Sequence, residues 1–330
     1  MNRLMGPRPL SSSLAETGRQ ADNLPDRLQT SINMAKMIRI HIVAGGILAY
    51  SLGVLLAILN GSSPDPTSIA IGYLVIFLAD LSTHYGNDYF DSTMSPSGEH
   101  NKMFGGSRVL TEHPELRETS RLMAIALVIL SLSLASFSVV MHIIPVELML
   151  IAVAANLLGW FYSAPPIRLS TRGLGEPTIA LGTGFLIPSA GYVAVRGQLD
   201  AFFLLLVIPF VMYGFILALS LEVPDMEDDL RIGKSNLVVR KGRRFAFSAI
   251  LVLSVLATLA FSIYTKEAIY HMMDLAVVAA FSSIPLISGI AGFIQNPERR
   301  HEADRFGSEN IIALFLFNIL MVAYLALLAL

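Results

Sequence analysis

Cysteine is absent from the 330-residue chain. That excludes disulfides, thiolate metal ligands and a cysteine nucleophile, while leaving the compartment open. Charge is nearly as scarce. Asp, Glu, Lys and Arg make up 15% of the residues, against about 25% in a soluble domain. With 54% hydrophobic residues and a mean hydropathy of +0.63, the composition is that of a membrane protein. A net charge of −2 offers nothing to attract a nucleic acid, and no segment marks an obligate protein partner. Residues 1–30 lack the apolar core and cleavage site of a signal peptide. Pro7, Pro9, Ser11 to Ser13 and Pro25 give them the composition of a disordered polar tail.

Long apolar runs are abundant. A helix crosses roughly 30 Å of hydrocarbon with about 20 apolar residues. Nine runs qualify, near 38–59, 69–90, 121–143, 147–163, 176–196, 201–222, 246–264, 271–294 and 310–329. The expected fold is an all-α bundle of nine transmembrane helices around a central cavity, forming one domain over 31–330. The connections at one end hold 21 of the 23 basic residues, leaving Arg196 and Lys266 at the other. Basic loops mark the cytoplasmic side, so the amino terminus is expected there and the carboxyl terminus opposite. The long polar loops, 91–120, 164–175, 223–245 and 295–309, fall on the same side and are expected to cap the site.

Two acidic stretches stand at helix ends on that side. "NDYFD" carries Asn87, Asp88 and Asp91; "PDMEDD" carries Asp225, Glu227, Asp228 and Asp229. Asn87 and Asp91, like Asp225 and Asp229, are four apart and share a face if helical. Like charges so placed repel, which calls for a cation. Oxygen ligands without thiolates or paired histidines suit Mg²⁺ or Ca²⁺, and Mg²⁺ is usually completed by waters and substrate phosphates. Each stretch is followed by a loop combining glycine, hydroxyl and base: "FGGSRVL" with Ser107 and Arg108, and "RIGKSN" with Lys234 and Asn236. Such loops cradle oxyanions. The acid-then-loop order occurs in both halves, roughly 38–163 and 176–330, and reads as a degenerate repeat closing on one diphosphate.

The segments "NDYFD…GGSRVL", "YSAPPIRLSTRGLGEP" and "PDMEDDLRIGKSNLVVRKG" resemble the UbiA superfamily of intramembrane aromatic prenyltransferases. The likeness is to the branch containing 1,4-dihydroxy-2-naphthoate prenyltransferase, a step of menaquinone synthesis. The resemblance implies Mg²⁺ and the diphosphate of a polyprenyl donor held by Asn87, Asp88, Asp91, Asp225 and Asp229. It also implies an aromatic acceptor and a lipid tail lying toward the bilayer. Two departures stand out. The family's first motif often gains another Asp where this chain has Ser95, leaving Glu99 in the loop to stand in. The Lys that some members carry four residues after the tyrosine is Pro166 here, counted from Tyr162, which passes the diphosphate contact to Arg168 or Arg172.

Arg39 is either a further diphosphate contact or an interface anchor. Tyr162, beside Trp160 and Phe161, is either aromatic belt or a cation–π partner. Arg240, Lys241, Arg243 and Arg244 read as topology residues, and Glu222 and Asp228 as interfacial charges. His84 and Tyr85 either touch the acceptor or make interhelical hydrogen bonds. Gly182, Gly184, Pro188 and Gly191 break span five either to wall a cavity or to pack closely. The competing functions are a transporter, a lipid-diphosphate phosphatase or phosphoglycosyl transferase, and prenyl transfer to another acceptor such as 4-hydroxybenzoate or a glycerol phosphate.

Overall fold

The computed structural model describes residues 26–92, 107–265 and 272–330. Helices α1 (Asp26–Lys36), α2 (Ile40–Leu59), α3 (Pro66–Asp91) and α4 (Val109–Glu112) open the chain. They are followed by α5 (Arg117–Val140), α6 (Val146–Ser163), α7 (Gly175–Leu181) and α8 (Ile187–Arg196). Then come α9 (Ala201–Glu222), α10 (Met226–Arg231), α11 (Leu237–Lys241), α12 (Arg243–Tyr264), α13 (Leu275–Gln295) and α14 (Arg300–Ala329). Among the described residues nine helical segments are long and apolar enough to cross a membrane, with α7 and α8 joined as one.

Three of their starts are set by carboxylate caps. Asp65 accepts from the Thr67 amide ahead of α3, Asp200 from Phe203 ahead of α9, and Asp274 from Ala276 ahead of α13. Each satisfies an amide that the first turn leaves open. Helix α3 packs on α5 and α6, α2 on α8, α9 on α12, α12 on α13, and α13 on α14. Contact of α14 with α2 closes the ring. Leu122, Ile129, Leu150, Val252, Leu259 and Ile287 project outward, which is costly in water and neutral in lipid. Inside, the Ser131 hydroxyl donates to the Val75 carbonyl at 2.9 Å, and Asn156 donates to Ser131 at 3.1 Å. Those bonds tie α3, α5 and α6 where water is absent.

Span five takes both of the roles expected of its glycines. Gly182–Leu186 is a π-helical turn between α7 and α8. Gly182 and Pro188 line the central cavity. Gly191 and Gly184 serve packing instead. A side chain on Gly191 would strike the Tyr50 backbone, and one on Gly184 the Phe210 backbone. Gly53 on α2 meets Pro188 in the same way, so the α2–α8 crossing needs a glycine from each helix.

Helix ends depart from the apolar runs. α1 begins at Asp26, inside the segment expected to be a disordered tail; residues 1–25 lie outside the described residues. The expected loop 295–309 is mostly the first turns of α14. Polar turns that continue a helix past the membrane leave no mark in hydropathy. Gly53→Leu should overpack α2 against α8 and cost about 2 kcal/mol. A thermal scan of the detergent-purified variant, showing a clearly lowered Tm, would check this.

Candidate active site

The second acidic stretch is not the end of span six. Pro224 cannot continue α9, the chain turns after Glu222, and the Asp225 amide bonds the Glu222 carbonyl at 3.1 Å. Asp225 then starts the separate helix α10, whose first turn carries Glu227, Asp228 and Asp229. Acids there complement the amide end of the helix. Gly233, at φ 76°, reverses the chain so that the Lys234 ammonium lies 3.0 Å from Asp229 Oδ1. Asn236 caps α11 through the Val239 amide at 2.8 Å and donates to Asp229 Oδ2 at 2.7 Å.

The first stretch, at the end of α3, is built alike. Asp88 is buried and takes the Arg39 guanidinium on one oxygen and the Ser107 hydroxyl on the other. Each half therefore holds one aspartate between a cation and a neutral donor. Arg39 and Arg108 both lie in the left-handed region, at φ 53° and 57°, which is uncommon for a residue with a side chain.

The halves meet at Lys234. Burial would lower its ammonium, but Asp229 and Asp91 beside it outweigh that and hold it above the usual lysine value. Tyr162 faces it as well. Asp91 comes from the first stretch, Asp229 from the second and Tyr162 from the end of α6. One cavity of about 490 Å³ runs inward from these groups. Asn87, Asp88, Asp91, Ser107, Arg108, Arg39, Tyr162, Asp225, Asp229, Lys234 and Asn236 all line it. Below them the wall is mostly apolar, with Leu52, Leu158, Leu186, Phe210, Leu217 and Leu314, and polar at Asp80, His84 and Thr183.

The oxygens suit a hard cation. Asn87 Oδ1 and Asp91 Oδ1 are buried with no hydrogen-bond donor among the described residues. Among the described residues no three Asp, Glu or His side chains converge into a ligand cage. An ion that keeps waters and phosphate oxygens needs only one or two carboxylates, so this donor set fits Mg²⁺ delivered with a diphosphate.

A model of the UbiA prenyltransferase family matches residues 47–319. The chain belongs to that family. A 2-carboxy-1,4-naphthoquinone phytyltransferase from Synechocystis is 32% identical over 155 residues, 44% of this chain. The match spans about half the length of that relative, 48%. A UbiA homolog from Archaeoglobus fulgidus aligns at TM-score 0.65 and 17% identity, over 90% of this chain and 99% of that one. The same homolog bound to GPP and Mg²⁺ aligns at 0.62 and 16%, over 88% and 99%. At those identities the likeness is one of fold, and it makes the nine-helix architecture that of an integral, multi-pass membrane protein of this family.

Several expectations for a family member change in detail. Arg168 and Arg172 do not line the cavity; Arg172 is exposed and donates to the Pro166 carbonyl at 2.8 Å. The 3₁₀ turn Leu169–Thr171 lies between them, and of this stretch Ser170, not either arginine, lines the cavity. Ser95, Glu99 and both glycines of "FGGSRVL" lie outside the described residues. Tyr85 donates to the Met34 carbonyl at 3.0 Å and is structural. Glu222 and Asp228, read as ordinary interfacial charges, both line the cavity. Glu222 stands beside the fully buried Glu176, which accepts the Leu237 amide.

Two arginines that sequence reasoning passed over hold the second stretch in place. Arg300, at the start of α14, reaches Asp228 at 2.7 Å and Asp225 at 3.6 Å. A cation at a helix start is unfavourable, and these acids offset it. Arg243, read as a topology residue, is buried. It bonds both Glu227 oxygens at 2.7 and 2.6 Å and the Val223 and Glu298 carbonyls at 2.7 Å each. Glu227 thus turns away from the cavity. Burial alone would raise its carboxyl, but Arg243 overrides that and holds it below the usual value.

Arg243→Met should lower stability by roughly 3 kcal/mol by stranding these acceptors, read as a drop in Tm. The stability gap between wild type and Glu227→Gln should be complete at neutral pH. Because the folded-state value is lowered, the gap should shrink as pH falls below about 4.5 and on through that lowered value.

Proposed function

We propose that the protein transfers a prenyl group from a polyprenyl diphosphate to an electron-rich aromatic ring, with 1,4-dihydroxy-2-naphthoate as the acceptor. The observation that carries this reading is Lys234, paired with Asp229 at 3.0 Å and sharing one cavity mouth with Asp91, above a largely apolar wall. Two oxygen-rich stretches and several cations around one mouth suit a metal diphosphate, and an apolar wall beneath suits a prenyl chain. The Synechocystis relative, named for a naphthoquinone, supports the acceptor; the A. fulgidus homolog, bound to GPP and Mg²⁺, supports the donor.

On this reading Asn87, Asp88, Asp91, Asp225 and Asp229 hold Mg²⁺, which supplies positive charge beside the departing diphosphate when bound. Arg39, Arg108 and Lys234 neutralise the same charge as it develops, so they act more strongly in the transition state than before it. Ser107 and Asn236 orient Asp88 and Asp229. Tyr162 lines the mouth, where its ring can face the allylic cation. The cavity excludes water, which would trap that cation as an alcohol. The basic-residue bias supports a cytoplasmic position for this face and the amino terminus, with the carboxyl terminus on the other side.

Membranes carrying the protein should transfer a labelled polyprenyl chain to dihydroxynaphthoate in the presence of Mg²⁺. Asp91→Asn or Asp225→Asn should each lower transfer at least about 100-fold, and EDTA should abolish it. Transfer to 4-hydroxybenzoate or a glycerol phosphate instead would keep the mechanism and replace the acceptor. Folded protein that binds donor yet transfers to no acceptor would overturn the assignment and favour a carrier or a phosphatase.

A further inference from the structure

We propose that Asp80 and His84 are the proton-accepting pair of an acceptor pocket just inside the mouth of the cavity, built for a hydroxyl on an aromatic ring. This rests on the prenyl-transfer reading above and names the group that reading leaves unassigned.

Both residues line the cavity on the inner side of Asn87, Asp88 and Asp91. All five lie on one face of α3, and His84 is roughly 10 Å along the axis from Asp91 at 1.5 Å per residue. Asp80 is another turn in. An ionisable group inside a span ordinarily marks a functional path. Gly46 of α2 faces the Asp80 carboxylate, with Oδ2 3.9 Å from where a Cβ would stand. The absence of a side chain there leaves the carboxylate open.

The hydrogen bonding fixes how the pair is poised. His84 Nδ1 lies 2.7 Å from the Ile38 carbonyl. A carbonyl only accepts, so Nδ1 carries a proton, and in the neutral ring that the proposal requires the lone pair of Nε2 is left toward Asp80. Nε2 and Asp80 Oδ1 are 3.6 Å apart, too far for a direct hydrogen bond. Two acceptors therefore face one gap, and a hydroxyl entering it has a proton acceptor on either side. Arg39 and His41 face the pair from the start of α2, with Asp88 and Tyr73 on α3 itself. A ring carboxylate would be repelled by Asp80, so an acceptor that carries one must turn it toward Arg39 and present its hydroxyl inward.

The step balances as follows. The O–H proton moves to the pair, and the oxygen's electrons feed into the ring. A ring carbon forms the new C–C bond as the C–O bond of the donor breaks, its electron pair leaving on the diphosphate. The ring carbon then loses its hydrogen as a proton, which restores aromaticity and the hydroxyl. One proton is left on the Asp80–His84 pair.

The test starts with wild type. If it binds donor and transfers to no aromatic acceptor, the prenyl-transfer reading fails and this assignment goes with it. Given transfer, the pH profile is measured for two acceptors whose hydroxyls differ in acidity by more than one unit. A protein base predicts the same midpoint for both, whereas a midpoint that follows the acceptor's own ionisation overturns the proposal. Asp80→Asn and His84→Gln should then each cut transfer about 100-fold or more, with donor binding within twofold of wild type. Transfer within threefold of wild type in either variant would overturn the assignment. Should either variant lose donor binding through misfolding, the wild-type comparison decides alone.

Discussion

The ammonium of Lys234 is the point on which the mouth of this protein depends. A buried charge is tolerated only with partners, and its partners come from both halves of the chain: Asp229 seven residues from Asn236, and Asp91 at the end of α3. The segments that carry these groups have little apolar core of their own. Helices α10 and α11 are six and five residues long, too short to persist alone. They are held by Lys234 and Asn236, which line the cavity, and by Arg300 and Arg243, which do not. Buried ion pairs give little net stability once desolvation is counted. What they supply here is position, because each carboxylate has a fixed partner and therefore a fixed direction.

Beneath the mouth the constraint changes from charge to shape. Helices in lipid gain little from apolar burial against one another, so close approach and hydrogen bonds decide how they pack. Gly53 and Gly191 bring α2 and α8 together, and the π-helical turn at Gly182–Leu186 offsets the upper and lower parts of span five. The same segment therefore seals the bundle at one level and opens a wall at another. The aromatic cluster of Phe203, Phe210, Tyr213, Phe261 and Phe317 fills the other side, and Phe210 and Tyr213 reach the cavity from it.

Much of this was legible before any coordinates. Apolar runs of about 20 residues can only be spans, and carboxylates paired four apart beside glycine-rich basic loops can only be comfortable around a cation. The features that were not legible share one physical cause: they depend on what a side chain meets across the bundle. Asp228 and Glu222 look like solvated ends until α14 brings Arg300 to the first and α7 brings Glu176 to the second. Arg243 sits in a run of four basic residues that topology explains equally well, and only its four acceptors set it apart. Asp80 did carry a signal, a lone acid inside an apolar run, which the proximity of the denser "NDYFD" stretch obscured. Arg168 and Arg172 are the opposite case: they flank Ser170, which lines the cavity with Tyr162, yet neither arginine does.

Depth separates the two kinds of acid in this cavity, and the separation has a chemical consequence. The acids at the mouth are matched by Arg39, Lys234 and Arg300, so they can exchange partners with an incoming metal diphosphate at modest cost in charge. Among the described residues Asp80 has only His84 within ion-pair distance, with the Arg39 charge farther off. On the proposed assignment, the reaction creates a negative leaving group at the mouth and a proton one to two turns farther in. Asn87 and Asp88 stand on the same face of α3 between His84 and Asp91, so the acceptor site and the diphosphate site share one polar stripe of that helix, roughly 10 Å from His84 to Asp91. The spacing of Asp80, His84 and Asp91 along α3 thus sets the acceptor's hydroxyl beneath the donor's diphosphate.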